Sequence, residues 1–180
     1  MLLSKSIIVL GQIGSGKTTV ARQLSSSANI PMVSFGEYLR YYLKDVLKIE
    51  INRKNLQDTG QALIENDPVE FLNNVISFNT FDPKEIIFDG VRHKTILESL
   101  KKISKKVVII CVDVPDNIRL KRVVNRDDGI DANSAAKLFN VANAHPVEKE
   151  IKEMMRDCDY HIDNSKEIEN LIAQLNSITL

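Results

Sequence analysis

The sequence predicts an α/β fold in which a five-stranded parallel sheet is covered by helices on both faces. Three observations predict it. The runs Ser6 to Leu10, Glu85 to Phe88 and Val107 to Val112 are nearly continuous in apolar residues, the pattern of strands buried on both sides. Segments with helical i, i+3/i+4 apolar spacing separate these runs, so strand and helix alternate along the chain. The first run enters Gly11-Gln12-Ile13-Gly14-Ser15-Gly16-Lys17-Thr18, a G-x-x-x-x-G-K-[ST] pattern whose use requires a strand before it and a helix after it. Ligands of such sheets gather at the C-terminal ends of the strands.

In chain order, Ser6 to Leu10 is the first strand and Thr18 to Leu24 opens the first helix, which ends in the Ser25-Ser26-Ser27 run. Asn29-Ile30-Pro31 is a turn, and Met32-Val33-Ser34 a very short second strand. Gly36 to Lys48 spaces Tyr38, Leu39, Tyr42, Leu43, Val46 and Leu47 along one helical face. Asn52 is placed to cap a helix from Arg53 to Glu65, with Leu56, Leu63 and Ile64 inward. Gly60 in its interior costs about 1 kcal/mol against Ala, which predicts the close approach of another group there. Asp67-Pro68 starts a helix through Phe71, Leu72, Val75 and Ile76, with proline at its first position. Phe81-Asp82-Pro83 breaks the chain before the strand Glu85 to Asp89. Helices are expected at Lys94 to Lys102 and Asp116 to Arg126, on either side of a strand from Lys106 to Asp113. Leu120, Val123 and Val124 would serve the core, and Asp113 would cap the helix that follows it. Asp159 to Ile162 is a last strand, and Lys166 to Asn176 a last helix.

The whole chain, 180 residues, has the length of a single domain. Lys plus Arg and Asp plus Glu both number 24, so no cationic field points to nucleic acid or an anionic membrane as a partner. Cys111 and Cys158 lack C-x-x-C spacing and partnered histidines, and are expected to be reduced thiols. No apolar run approaches membrane-spanning length. The N-terminus runs straight into the strand feeding the glycine-rich loop, so cleavage of a signal peptide there would destroy the site. A soluble, cytoplasmic protein is expected.

The loop fixes the ligand class. Its glycines let successive backbone N–H groups turn toward phosphate oxygens, and the following helix adds its positive end. Gly11, Ile13, Gly14, Ser15, Gly16, Lys17, Thr18 and Thr19 are the expected nucleotide-binding residues, with Lys17 at the β/γ-phosphates and the Thr18 hydroxyl on Mg²⁺. Asp89 ends an apolar strand, where a carboxylate for Mg²⁺ is expected, and Arg92 adds a phosphate-pairing cation beside it. Arg119, Arg122 and Arg126 recur at i, i+3, i+7 and share one helical face, a row of guanidiniums suited to a transferring phosphoryl group. The three histidines, His93, His145 and His161, lack metal-ligand spacing and take ordinary core or surface positions. Gln57, Gln61, Asn73 and Asn74 carry amides able to read a base edge.

Several segments resemble the nucleotide-kinase branch of P-loop proteins, the nucleoside monophosphate kinase and dephospho-CoA kinase group. Ser34-Phe35-Gly36-Glu37-Tyr38-Leu39-Arg40 is similar to its G-D-x-L-R acceptor segment, and Phe88-Asp89-Gly90-Val91-Arg92 resembles its D-G-x-(P)-R segment, without the proline. Arg119 through Asp128 resembles the arginine-bearing helix that leads into the lid. Cys158 to Asn164 is similar to the A-D-x-x-I-x-N strand near the adenine of ATP. No arginine occurs between Arg126 and Arg156, and the L-E-x-I-x-H-P stretch of dephospho-CoA kinases is not recognisable.

The resemblance implies strand order 2-3-1-4-5, acceptor-side helices over about 36–78 and a short lid over about 126–146 in one kinase domain, residues 1–180. It implies Mg-ATP as phosphoryl donor and a small phosphorylated acceptor, most often a nucleoside monophosphate. Gly36, Arg40 and Arg92 would bind the acceptor and Asn164 the nucleotide, with Lys17, Arg92, Arg119, Arg122 and Arg126 catalytic, and Thr18 and Asp89 on the metal. Dephospho-CoA is the alternative acceptor, and its hydroxyl would need a base such as Glu37. An alternative of another class is a nucleotide-binding switch or scaffold with weak ATPase activity. Its GTPase form lacks any N-K-x-D or D-x-x-G.

Overall fold

In the computed structural model, which describes residues 2–78, 83–125 and 132–180, strand β1 (Leu3–Leu10) lies at the centre of a five-stranded sheet. Around it stand β2 (Met32–Ser34), β3 (Glu85–Asp89), β4 (Ser104–Asp113) and β5 (Tyr160–Asp163), in the order β2-β3-β1-β4-β5 and parallel throughout. This is the order the resemblance implied. Successive side chains of a strand point to opposite faces, and here both faces are apolar. Ile8 and Leu10 of β1, Ile86 and Phe88 of β3, and Ile109 and Cys111 of β4 enter one core; Ile7, Val9, Ile87, Val108, Ile110 and Val112 enter the other.

Helices α1 (Lys17–Ala28) and α9 (Ile168–Asn176) cover the second core through Val20, Ala21, Leu24, Leu171 and Leu175. The first core is closed by α2 (Phe35–Tyr41), α3 (Arg53–Asn66), α4 (Pro68–Ser77), α5 (Lys94–Ile103) and α8 (Pro146–Met154). The predicted caps are present: Asn52 accepts from the Asn55 N–H at 2.8 Å, and Asp67 accepts from Val69 and Glu70 N–H at 2.9 Å. Gly60 meets its predicted neighbour, since a Cβ there would stand 3.3 Å from Leu39 Cδ1. The helix expected to reach Lys48 leaves α-geometry at Tyr42 and finishes as a π-helical turn, Tyr42–Leu47, which Lys48 ends in the left-handed region at φ 58°.

Three expectations are corrected. Asp113 does not cap α6 (Asp116–Val124), whose N-cap is Pro115; its carboxylate instead meets His161 Nδ1 of the neighbouring strand at 2.8 Å. On α6 the buried side chain is Arg119, while Leu120, Val123 and Val124 are half-buried and lie outside both cores. Cys111 and Cys158 are joined as a disulfide rather than standing as separate thiols. They are 47 residues apart in sequence, but the pairing of β4 with β5 brings their Cα atoms to 6.0 Å. Between α6 and β5 lie α7 (Ala132–Ala144) and α8. Arg126 and the first part of the expected lid fall outside the described residues. Among the described residues no helix is long and apolar enough to cross a membrane.

Candidate functional site

Register places the site. Val9 pairs with Asp89, and Asp89 with Ser34, so the C-terminal ends of β1, β3 and β2 finish at one edge of the sheet. The phosphate loop leaves β1 there, Gly90 leaves β3, and α2 leaves β2. Three segments distant in sequence therefore meet around one cleft of about 420 Å³, within the ordinary range for a small-molecule site.

The loop is built for an anion. Gly14 and Gly16 lie at φ 77° and 79°, in the left-handed region, and a Cβ on Gly14 would stand 2.6 Å from the Arg119 carbonyl oxygen. Gly16 is the N-cap of α1 and no side chain caps that helix, so its first N–H groups are left for a ligand. The Ser15 hydroxyl is buried with no hydrogen-bond partner.

Around the loop, two arginines grip its carbonyls. Arg119, 1% exposed, donates to the Ile13 carbonyl at 2.9 Å, to Asp116 at 2.8 Å and to Asn143 at 3.2 Å, with its guanidinium 5.3 Å from the Phe139 ring centroid. Arg122 donates to the Ser15 carbonyl at 3.4 Å and the Asn164 carbonyl at 2.8 Å, and the Asn164 amide donates to the Ser15 carbonyl at 2.8 Å. Arg119, Arg122 and Asn164 therefore surround the loop rather than line the cleft. Thr19 is exposed on the first turn of α1, also off the cleft wall.

Lys17, Thr18 and Asp89 form the floor at the loop. The Thr18 hydroxyl donates to Asp89 Oδ2 at 2.8 Å and the Ser34 hydroxyl to the same oxygen at 3.3 Å, while Asp89 Oδ1 is buried without a partner. A buried oxygen left unpaired costs about 1–3 kcal/mol. A hydroxyl and an orphaned carboxylate oxygen side by side are the hard donors that Mg²⁺ takes, so these residues fit the metal, and the loop fits a polyphosphate. Burial holds Lys17 well below the usual lysine range, at about 7; Arg92 and Arg53 push the same way, and Asp89 and Glu148 oppose them.

Gly36, Arg40 and Arg92 also line the cleft, with Arg40 donating to the Gly36 carbonyl at 3.1 Å. Glu37 of the same acceptor segment joins them, as do Arg22 and Arg53, which carried no motif; Arg22 and Glu37 are 3.4 Å apart. The remaining wall is apolar, from Leu39, Leu56, Ile64, Phe71 and Val91. Gln57 enters that wall with its amide nitrogen buried and unpartnered, whereas Gln61, Asn73 and Asn74 do not reach the cleft. His93 lines the cleft beside Glu150 at 3.2 Å, and burial lowers its pKa. Sequence reasoning missed Glu148 altogether. It is fully buried on α8, accepting from Ile13 N–H at 3.1 Å and from Arg92 at 2.7 Å. Its signal was a carboxylate on the apolar face formed by Val147, Ile151 and Met154.

The AAA domain family matches residues 7–140. The adenylate kinase of Fusobacterium nucleatum subsp. nucleatum is 23% identical over 167 residues, covering 88% of this chain and 76% of that protein. The adenylate kinase of Bacteroides fragilis is 31% identical over 129 residues, 67% of each chain. The chain spans 56% to 59% of the length of several further adenylate kinases. Among solved structures, shikimate kinase from Aquifex aeolicus superposes with a TM-score of 0.54 at 19% identity, covering 95% of this chain and 94% of that one, a likeness of fold.

Proposed function

The chain belongs to the P-loop nucleotide kinase family, and from that premise we propose that it transfers the γ-phosphoryl group of ATP to a nucleoside monophosphate. One observation carries the reading: a single cleft is lined by Lys17, Thr18 and Asp89 together with Arg40, Arg53 and Arg92, and by an apolar wall bearing the Gln57 amide. The arginines suit a second phosphate, and the apolar wall suits a flat base whose edge offers an acceptor to that amide.

Residues of this chain divide the work. The loop N–H groups and Lys17 hold the donor's phosphates, while Arg119, Arg122 and Asn164 keep the loop's carbonyls turned away from them. Arg40 and Arg92 orient the acceptor phosphate, already ionised near neutral pH, so no general base is required. Arg126, which lies outside the described residues, is kept from the sequence pattern as a further cation for the transferring group. Thr18 and Asp89 would hold Mg²⁺, which when bound supplies charge neutralisation at the phosphates. Positioning and preorganised charge supply most of the rate in such a site.

The test is a panel of nucleoside monophosphates, with dephospho-CoA as the hydroxyl acceptor, followed by ADP release. At least one monophosphate is expected to be phosphorylated, and Lys17→Ala to abolish transfer with its melting temperature retained. ATP turnover indifferent to every acceptor, yet raised by a protein partner, would replace this reading with the nucleotide-binding switch.

A further inference from the structure

Glu148 is the least expected charge in the molecule. Its side chain is 0% exposed and absent from the cleft wall, although its neighbour Val147 is part of that wall. Burying a carboxylate is strongly unfavourable unless it is paired and hydrogen-bonded. Here its two oxygens serve the two halves of the site. Oε2 accepts the Ile13 N–H of the phosphate loop at 3.1 Å. Oε1 accepts the Arg92 guanidinium at 2.7 Å, with Arg53 at 3.6 Å. The two partners come from different segments, Ile13 from the loop that follows β1 and Arg92 from the stretch that follows β3.

We propose that Glu148 is a positioning residue: from behind the cleft one buried carboxylate fixes the phosphate loop through Ile13 and the acceptor side through Arg92, setting the separation between donor and acceptor phosphates. The geometry favours a fixture over a placeholder that substrate displaces, because the carboxylate lies outside the cleft that substrate fills. A rigid carboxylate also suits the task, since its two oxygens have a set spacing and the planar guanidinium of Arg92 binds it directionally. In-line transfer is sensitive to that spacing, and a misplacement near 1 Å lowers rates by about 100-fold. The proposal rests on the phosphotransferase reading above.

The experiment is a double-mutant cycle on the intact chain with Glu148→Gln, Arg92→Gln and the pair, using ATP and AMP as probes. Glu148→Gln keeps the side chain's shape and is expected to lower kcat by about 10- to 100-fold with KM for ATP changed by less than about 3-fold. In the Arg92→Gln background the same change is expected to cost less than about 3-fold more, because its effect passes through Arg92. Additive losses, or a loss confined to KM, would overturn the proposal and leave Glu148 as packing alone. Should Glu148→Gln fail to fold, Glu148→Asp, which keeps the charge one methylene short, takes its place with the same expected split. A second readout needs no acceptor. The Ile13 amide resonance in the ATP-bound protein is expected to move in Arg92→Gln, since Glu148 links the two. A stationary resonance overturns the link even if transfer to AMP stands. A wild type that phosphorylates no monophosphate sinks the function reading while the resonance still decides the link.

Discussion

Replacing Arg119 by Ala separates a residue that shapes the loop from one that meets substrate. The guanidinium is buried, and three protein groups receive its hydrogen bonds. The bond to the Ile13 carbonyl, from a charged donor, is worth about 1.5–3 kcal/mol, and that to Asn143 about 1 kcal/mol. Stacking on Phe139 adds about 1 kcal/mol. Asp116 is largely exposed, 71% by its side chain, and on losing its partner simply returns to water, so its share is close to nil. The expected loss is about 3–5 kcal/mol, and for a chain of this size about 2–4 °C accompanies each kcal/mol. Thermal unfolding followed by circular dichroism should therefore show a fall on the order of 10 °C. Arg40→Ala is the control, because that side chain lies on the open cleft wall and should leave the transition within about 2 °C. If Arg119→Ala melts with the wild type and loses only turnover, the structural reasoning fails and its guanidinium meets substrate instead.

Two further predictions concern the loop. Lys17 titrates near 7 in the folded protein against 10.5 in an unfolded chain, so between those values the unfolded chain carries a proton that the folded one lacks. Its contribution to stability therefore rises with pH across that window, and the cost of burying the charge is fully present below it. Arg92 and Arg53 face this ammonium along with Asp89 and Glu148, and incoming phosphates add negative charge. ATP binding at pH 8 in excess chelator should take up protons, seen as binding heats that differ between buffers of different ionisation enthalpy; identical heats would count against it. Gly14→Ala places a Cβ 2.6 Å from the Arg119 carbonyl at a φ of 77°, a backbone clash with no flexible side chain to yield. ATP affinity by calorimetry should drop at least 100-fold, roughly 2.7 kcal/mol, and a drop under threefold would show that the loop tolerates the shift.

The sheet was legible because its three central strands, β1, β3 and β4, bury both faces and so read as apolar runs that no surface helix would show. The loop and Asp89 were legible because a motif and a strand end fix their positions locally. What could not be read are pairs made across long stretches of chain. Asp113 faced a plausible helix start three residues on, yet its partner is His161, which only the β4–β5 pairing brings near. Glu148 sits in the charged stretch Glu148-Lys149-Glu150, which looks solvated, and its partners are 56 and 135 residues away. Arg119 was recognised as important by its spacing, but spacing gives the face of a helix and not what that face packs against. Helix α7 lies within the stretch read as a lid, and α8, although Pro146 marks its first turn, begins where that stretch ends, among residues whose many charges read as solvated.

The bond from Asn164 to Ser15 spans 149 residues, and that span orders events during synthesis. The glycine-rich motif leaves the ribosome before β5, and Asn164, which follows β5 and bonds the loop, emerges 149 residues after Ser15. Until β5 docks beside β4, the nascent chain carries the full motif without the Asn164 bond to its Ser15 carbonyl. A ribosome-stalled chain ending before residue 158 should therefore retain every loop residue and still bind ATP poorly, so nucleotide capture would mark the completion of the sheet rather than its beginning.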